Sequence, residues 1–206
     1  ARHADQPRMP EACPRCAMPS AGARVCGACL REPPSFDATI ASLPYLYPVD
    51  RLVQALKFHA RLPLARLLGE RLADAATHRT RVDLVMPMPL APGRLRERGF
   101  NQSAEIAKAC ARARGATYAA EGARRVRETP PQSRLAYRDR QRNVKDAFVA
   151  EAAVIGRHVA IVDDVMTTGA SLEALAAALA RGGALSVECW VVARAFGPEP
   201  EIAETR

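Results

Sequence analysis

The 206-residue chain is long enough for one full domain with a sizeable core and a small additional module, and 49% hydrophobic with 25% charged residues is typical of globular proteins. The longest apolar run, at 174–180, is too short to cross a bilayer, and the first residues lack an apolar signal-peptide stretch, so we expect a cytoplasmic protein that does not enter membranes. The net charge of +8, carried mostly by arginine, favours phosphorylated partners such as nucleic acid or a small polyphosphate, but compositional bias explains it equally well.

Four of the six cysteines form two Cys-x-x-Cys pairs near the N-terminus, Cys13 with Cys16 and Cys26 with Cys29. Four thiolates in two knuckles are the tetrahedral ligand set of a structural zinc site, and zinc supplies folding energy that so short a segment cannot obtain from a core. Disulfides are the alternative, which a cytoplasmic location opposes. We predict a zinc-ribbon-like module with its linker over residues 1–34, which contacts nucleic acid, docks a protein or braces the domain.

Beyond a proline-rich linker at 32–35, apolar runs at strand spacing alternate with runs at helical spacing. In chain order the pattern predicts a strand near 39–47, helices at 50–57 and 62–76, a strand at 82–86, a helix at 101–114, a strand near 119–127, the start of a strand at 148–149, a buried strand at 158–162, a helix at 169–181 and a buried strand at 185–193. This alternation predicts an α/β fold with a mostly parallel sheet flanked by helices over residues 35–196, followed by a flexible tail at 197–206.

The segment at 128–142 differs from the rest of the chain because it is polar, arginine-rich and interrupted by Pro130-Pro131. Long loops inside compact domains are usually functional. We expect a mobile lid that excludes water from a reaction.

The most informative run follows the strand at 158–162 and reads Asp-Asp-Val-Met-Thr-Thr-Gly-Ala-Ser over 163–171. Carboxylates at the C-terminal end of a parallel strand lie where open α/β sheets bind ligands, and they can accept hydrogen bonds from a ribose diol. The following residues begin a helix, whose unpaired N–H groups and dipole attract a phosphate. Hydroxyl groups at Thr167, Thr168 and Ser171 add donors, and Gly169 allows close approach. The run predicts a ligand that carries a phosphate monoester beside a cis-diol.

Three other interpretations explain this run less well. A strand that ends in two acids also occurs in Walker B segments, but the chain has no Gly-x-x-x-x-Gly-Lys-[Ser/Thr] run. It also has no Gly-x-Gly-x-x-Gly fingerprint of dinucleotide-binding folds. A purely structural role in helix capping accounts for one acid, but not for two acids and the hydroxyl cluster.

The run resembles the signature with which type I phosphoribosyltransferases bind 5-phosphoribosyl-1-pyrophosphate (PRPP). The resemblance implies that Asp163 and Asp164 hold the ribose hydroxyls and that 167–171 hold the 5′-phosphate. The expected PRPP-binding residues of this loop are Asp163, Asp164, Val165, Met166, Thr167, Thr168, Gly169, Ala170 and Ser171.

Further runs match one narrower group of proteins. They are the N-terminal cysteine pairs, Leu56-Lys57-Phe58, Pro87-Met88-Pro89-Leu90, Arg98-Gly99-Phe100-Asn101-Gln102, and Arg142-Asn143-Val144 with Ala147-Phe148. Over nearly the whole chain the sequence therefore resembles the ComF family, also called GntX-like or competence-associated phosphoribosyltransferases. One departure is Met88, where the family usually has Val, and the adaptable Met side chain should not disturb a loop that binds through its backbone.

These runs supply what the pyrophosphate of PRPP needs. We expect main-chain amides at 87–89 (Pro87, Met88 and Pro89) to face the pyrophosphate, with Lys57 and Arg98 as cations that stabilise its departing charge. Lys57, Arg98 and the two aspartates are thus the predicted catalytic residues, whereas Arg94 and Arg96 fit a solvated turn equally well. Magnesium is expected to bind mainly through oxygens of PRPP.

The resulting function prediction is transfer of the 5-phosphoribosyl group from PRPP to an unidentified acceptor, with release of pyrophosphate. The alternative is a non-catalytic module that binds PRPP or nucleic acid and acts in DNA uptake, as the family association implies. Nucleobase transferases use a hood segment to read the base, but zinc-module and linker sequence occupies the segment before Asp37. The acceptor, a DNA-processing protein partner and the oligomeric state are therefore left open.

Overall fold

The computed structural model describes residues 8–78, 81–127 and 146–197. The predicted lid at 128–142, the Arg142-Asn143-Val144 motif and all but the first residue of the predicted tail at 197–206 lie outside the described residues.

Strands and helices alternate along the domain. The strands are β1 (Ala38–Pro44), β2 (Leu84–Pro87), β3 (Thr117–Tyr118), β4 (Ala123–Arg125), β5 (Phe148–Ala150), β6 (His158–Met166) and β7 (Ser186–Arg194). The helices are α1 (Gly27–Arg31), α2 (Val49–His59), α3 (Pro63–Ala75), α4 (Pro92–Arg98), α5 (Gln102–Arg114) and α6 (Ala170–Arg181).

Five strands form one parallel sheet in the order β1-β7-β6-β2-β3, and β4 pairs with β5 in a separate antiparallel ribbon. The prediction of a mostly parallel sheet flanked by helices is confirmed. Strand β6 lies at the centre, between β7 and β2, and its residues 159–162 are fully buried. A nearly continuous apolar run is what a strand covered on both faces requires.

Separate hydrophobic clusters cover the two faces of the sheet. Residues of α2, α3 and α5 pack on one face around Trp190, and α6 packs on the other with residues of β4 and β5. Helices α3 and α5 approach each other closely at Gly69, where a Cβ atom would lie only 2.6 Å from the carbonyl oxygen of Ile106. The two layers therefore bury the central strand on both faces.

Two predicted strands differ from the structure. The strand predicted near 119–127 is shorter than expected, because a turn at 120–122 precedes it and only β4 lies within these bounds; β4 pairs with β5 and does not join the main sheet. The central strand does not end at Val162 but continues to Met166, because it keeps its register with β7 as far as the Met166–Arg194 pair. Asp163 and Asp164 therefore lie within the strand.

The N-terminal cysteine module rests against the edge of the sheet formed by β1. The main-chain amide of Thr39 in β1 donates to the carbonyl oxygen of Pro14 over 3.0 Å. In the linker, Ser35 donates from its amide and hydroxyl groups to the carboxylate of Glu173 in the first turn of α6. No helix within 8–78, 81–127 or 146–197 has the length and apolarity that spanning a bilayer demands.

Candidate functional site

A cavity of about 150 Å³ opens at the C-terminal ends of β6 and β2. It brings together residues that are far apart in the sequence, among them the predicted Lys57, Met88, Pro89, Asp163, Asp164 and Ser171. Ligands of open α/β sheets bind at this edge, because the loops that follow parallel strands converge there.

The two aspartates of β6 are held by side chains from different helices. Asp163 accepts hydrogen bonds at Oδ1 from the Ser103 hydroxyl of α5 (2.8 Å) and from the amide of Asp164 (2.9 Å). Asp164, only 3% exposed, forms an ion pair with Lys57 of α2, whose Nζ lies 2.8 Å from Oδ2. Its Oδ1 accepts from the amide of Val165 over 2.7 Å. The pair is thus oriented before any ligand enters.

The site shifts the proton affinity of its charged groups. Burial, with the neighbouring charge of Asp164, raises the pKa of Asp163 to about 7, and the Ser103 hydrogen bond and Lys57 offset only part of that rise. Burial by itself lowers the pKa of Lys57, but the attraction of Asp164 and then Asp163 is greater, so the pKa is raised overall. The site therefore holds a permanent ammonium group beside a carboxyl that titrates near neutral pH.

The segment between β6 and α6 has the form of a loop at a helix start. Gly169 has a φ of 82°, which favours glycine, and α6 begins at the next residue. The Thr168 hydroxyl accepts from the amide of Ala170 over 3.3 Å, which leaves its own proton available to a ligand. The Met166 side chain is 2% exposed and packs in the core, so this residue offers a ligand only its main chain.

The loop after β2 presents different amides from those that the sequence predicted. Pro87 lies in β2 opposite Val162, and the Met88 amide donates to the carbonyl oxygen of Val162 over 2.8 Å. Since proline has no N–H group, none of the three residues at 87–89 has an amide left for a pyrophosphate. The next amides belong to Leu90 and Ala91, which line the cavity.

Asn101 connects this loop to α5. Its side-chain amide donates to the carbonyl oxygen of Met88 over 3.0 Å, and its Oδ1 caps α5 by accepting from the amide of Ser103 over 3.0 Å. The cap turns Gln102 and Ser103 toward the cavity that both line. A serine in the first turn of a helix is common, so no signal in the sequence identified Ser103 as the partner of Asp163.

The predicted cations lie at different depths. Lys57 and Arg94 line the cavity, whereas Arg98 does not. Arg98 lies at the end of α4, where it donates to the side-chain oxygen of Gln102 over 2.6 Å. Its guanidinium group lies 5.4 Å from the centre of the Phe58 ring. Burial lowers the pKa of Arg98, and Asp164 offsets part of that effect. Sequence reasoning missed Arg125 of β4, which also lines the cavity.

The four N-terminal cysteines converge. Their sulfur atoms all lie within 4.8 Å of one another, and Cys16 and Cys26 are 3.6 Å apart. Thiolates bound at tetrahedral corners about 2.3 Å from one zinc ion are separated by about 3.8 Å, so the donor set fits a single metal ion. Burial raises the pKa of Cys13, but amides of Cys16, Cys26 and Arg15 lower it to about 6 overall. Burial raises the pKa of Cys16 and of Cys29, so binding of a metal by all four thiolates would release protons.

The two remaining cysteines pack in the core. Cys110 of α5 and Cys189 of β7 are fully buried. Burial raises the pKa of Cys110 to about 12, so this thiol is unreactive at neutral pH.

The chain is similar to a domain family and to several named proteins. The family described as the phosphoribosyl transferase domain matches residues 109–203. The chain is 35% identical over 189 residues to the DNA utilization protein YhgH of Escherichia coli (strain K12), covering 88% of this chain and 83% of that protein. It is 38% identical, with the same coverage, to the YhgH protein of Salmonella typhimurium. It is 34% identical over 182 residues to Competence protein F of Haemophilus influenzae, covering 84% and 80% of the two chains.

The matches to solved structures are more distant. A glutamine PRPP amidotransferase from B. subtilis, complexed with ADP and GMP, matches at 22% identity and a TM-score of 0.43, covering 62% of this chain and 25% of that chain. The protein TT1426 from Thermus thermophilus matches at 20% identity and a TM-score of 0.41, covering 66% and 85%.

Each of these sequence relatives covers more than four fifths of this chain. Together with the domain match, they show that the chain belongs to the ComF family, the family of DNA utilization protein YhgH and Competence protein F, and carries a phosphoribosyl transferase domain.

Proposed function

We propose that this protein binds PRPP and transfers its 5-phosphoribosyl group to an acceptor, with release of pyrophosphate. The observation that carries the proposal is the cavity at the junction of β6 and α6, which is lined by two oriented aspartates of β6 and by Ser171 in the first turn of α6. A phosphoribosyl group has the matching features, a diol beside a phosphate.

In this proposal each part of the site has its own task. The main-chain amides and hydroxyls of 167–171 bind the 5′-phosphate. Asp163 and Asp164 accept hydrogen bonds from the ribose hydroxyls, and their negative charge stabilises the positive charge that develops on the ribosyl group. Lys57, together with Arg94 and Arg98, attracts the pyrophosphate, which Mg²⁺ accompanies through oxygens of PRPP itself.

The cysteine module completes the proposal. We assign zinc to Cys13, Cys16, Cys26 and Cys29, because an all-thiolate tetrahedral set favours this ion over hard cations. A cytoplasmic location agrees with this assignment, because reducing conditions keep the thiols available to the metal.

A second candidate function is a non-catalytic module that binds PRPP or nucleic acid in DNA uptake. Two observations favour it: the names of the relatives, which refer to DNA utilization and competence, and the net charge of +8. The two candidates differ in turnover, since only an enzyme releases pyrophosphate.

The decisive experiment is calorimetric titration of the metal-loaded protein with PRPP and magnesium. The control is the double variant Asp163→Asn, Asp164→Asn, which keeps the volume of both side chains but removes their charge. We expect wild-type binding that the double variant loses. Equal affinity in the two proteins would contradict the assignment of the aspartates. Pyrophosphate release in an acceptor screen separates the enzyme from the binding module.

The same titration tests the protonation of Asp163. Its pKa of about 7 lies above the ordinary value of 3.8, so the carboxyl gains a proton as the pH falls through neutrality. A protonated carboxyl is a poorer acceptor for ribose hydroxyls, so affinity should rise from about pH 6 to about pH 8. Affinity that is constant over this range, after correction for PRPP ionisation, would rule out a titrating role for Asp163.

A further inference from the structure

Arg194, the last residue of β7, joins the cysteine module to the loop before α6. It is 4% exposed, although a guanidinium group is costly to bury. On the module side it donates to the carbonyl oxygen of Cys16 over 2.9 Å. On the loop side it donates to the carbonyl oxygens of Met166 (2.8 Å), Thr167 and Ala195 (2.8 Å). The Cys16 contact spans 178 positions of sequence, so it exists only in the folded chain.

The contacts on the loop side determine which way its peptide groups face. In a planar trans peptide, the carbonyl oxygen of one residue and the amide of the next point in opposite directions. Arg194 holds the carbonyl oxygens of Met166 and Thr167, the first together with the amide of Ala195 (3.0 Å), so the amides of Thr167 and Thr168 point away from Arg194. These are the first amides of the segment that the proposed function assigns to the 5′-phosphate.

The contact between Arg194 and the cysteine module depends on the turn that joins Cys13 to Cys16. The Cys16 carbonyl belongs to the same peptide as the amide of Ala17, which donates to the carbonyl oxygen of Cys13 over 2.9 Å. The direction of this carbonyl is therefore determined by the turn between Cys13 and Cys16. A metal ion that binds both sulfurs holds the turn closed, so it also holds the acceptor of Arg194.

We propose that Arg194 is a positioning residue through which the metal-bound cysteine module orders the loop at 167–169 for phosphate binding. The proposal rests on the proposed function only for the identity of the ligand, because the ordering of the loop is a property of the free protein. It gives the module a task inside the domain, in addition to any contact with DNA or another protein.

The test is a double-mutant cycle between R194M and C13S, with Mg-PRPP affinity and amide hydrogen exchange as the two measurements. If the metal orders the loop only through Arg194, each single variant should weaken Mg-PRPP affinity by about tenfold. This is the loss expected when one molecule in ten has the loop in the conformation that binds phosphate. The double variant should bind Mg-PRPP no more weakly than whichever single variant binds it more weakly. Effects that multiply in the double variant would overturn the proposal.

Hydrogen exchange separates this role from general stabilisation. We expect faster exchange at 167–170 in both single variants, with α5 and β2 unchanged; faster exchange throughout the sheet would mean a merely structural Arg194. R24M is the matched control, because Arg24 is an exposed arginine of the same module and should leave the loop unaffected. If R194M fails to fold, R194K replaces it, since it keeps the charge but reaches fewer carbonyl oxygens.

The two measurements also keep the two proposals apart. Absence of PRPP binding in the wild type, combined with faster loop exchange in R194M and C13S, would refute the proposed ligand but support the coupling. Wild-type affinity and wild-type loop exchange in both Arg194 variants would refute the coupling but leave the ligand assignment intact.

Discussion

Lys57 and Asp164 form a charged pair that differs from the surface pairs of this protein. The side chain of Asp164 is 5% exposed and that of Lys57 is 23% exposed, whereas Lys108 and Glu105 in α5 are 53% and 34% exposed. Water screens an exposed pair, so its contribution to stability is small. Removing one partner of a buried pair leaves an uncompensated charge in the interior, which is strongly destabilising.

We therefore expect Lys57→Met to lower the free energy of unfolding by about 3 kcal/mol, because Asp164 stays buried without its cation. Lys108→Met is the matched control and should change it by less than about 0.5 kcal/mol. Urea denaturation of both variants at neutral pH gives the comparison. Similar losses in the two proteins would show that Asp164 keeps enough water to remain charged without Lys57.

The unit formed by β6, its loop and α6 depends on one backbone conformation. Gly169 has a φ of 82°, and a Cβ atom at this position would lie 2.7 Å from Cε of Met166. Gly115, at the C-terminus of α5, has a similar φ of 64° but open space around it. The two glycines therefore share backbone strain but differ in what surrounds them and in distance from the candidate site.

Gly169→Ala and Gly115→Ala should each lower the free energy of unfolding by about 1 kcal/mol, the cost of a left-handed conformation for a residue with a Cβ atom. Only Gly169→Ala should also weaken Mg-PRPP binding, because it moves the loop that follows β6. Thermal unfolding and calorimetric titration of both variants test this expectation. Loss of binding in Gly115→Ala as well would attribute the effect to stability alone.

At the scale of the whole molecule, the sheet and the cysteine module are held together in different ways. Large apolar clusters pack both faces of the sheet and bury Trp190 completely. The buried apolar residues of the module are few, namely Cys13, Ala17 and Cys29 within its described part. We propose a boundary near residue 35, with the module stabilised by its metal and the sheet by its cores.

Cys13→Ser should release the metal and loosen the module while the sheet remains folded. Elemental analysis should find less than one zinc ion per chain, and the fluorescence of Trp190, the one tryptophan of the sequence, should keep the emission of a buried indole. A full zinc complement would refute the four-cysteine site. Emission shifted to the red would show that the two parts unfold together.

Local patterns in the sequence are sufficient for several features of this protein. The cysteine spacing predicted the cluster, and the alternation of apolar runs predicted the parallel sheet with helices on its faces. The run at 163–171 identified the transition from a central strand to a helix, in which only 167–169 form the loop. These features depend on residues close together in the chain, where spacing reflects helix and strand geometry directly.

The tertiary structure alone decided which distant groups meet. Strand order and register bring Lys57 to Asp164, Ser103 to Asp163 and Arg194 to Cys16, and they also direct the Met88 amide into the sheet. No periodicity in the sequence reports such partners, because a contact between distant positions depends on the packing of every element that separates them. The sequence by itself thus determined the fold class, the cysteine cluster and the candidate loop, and the packing of the layers decided how those parts are joined.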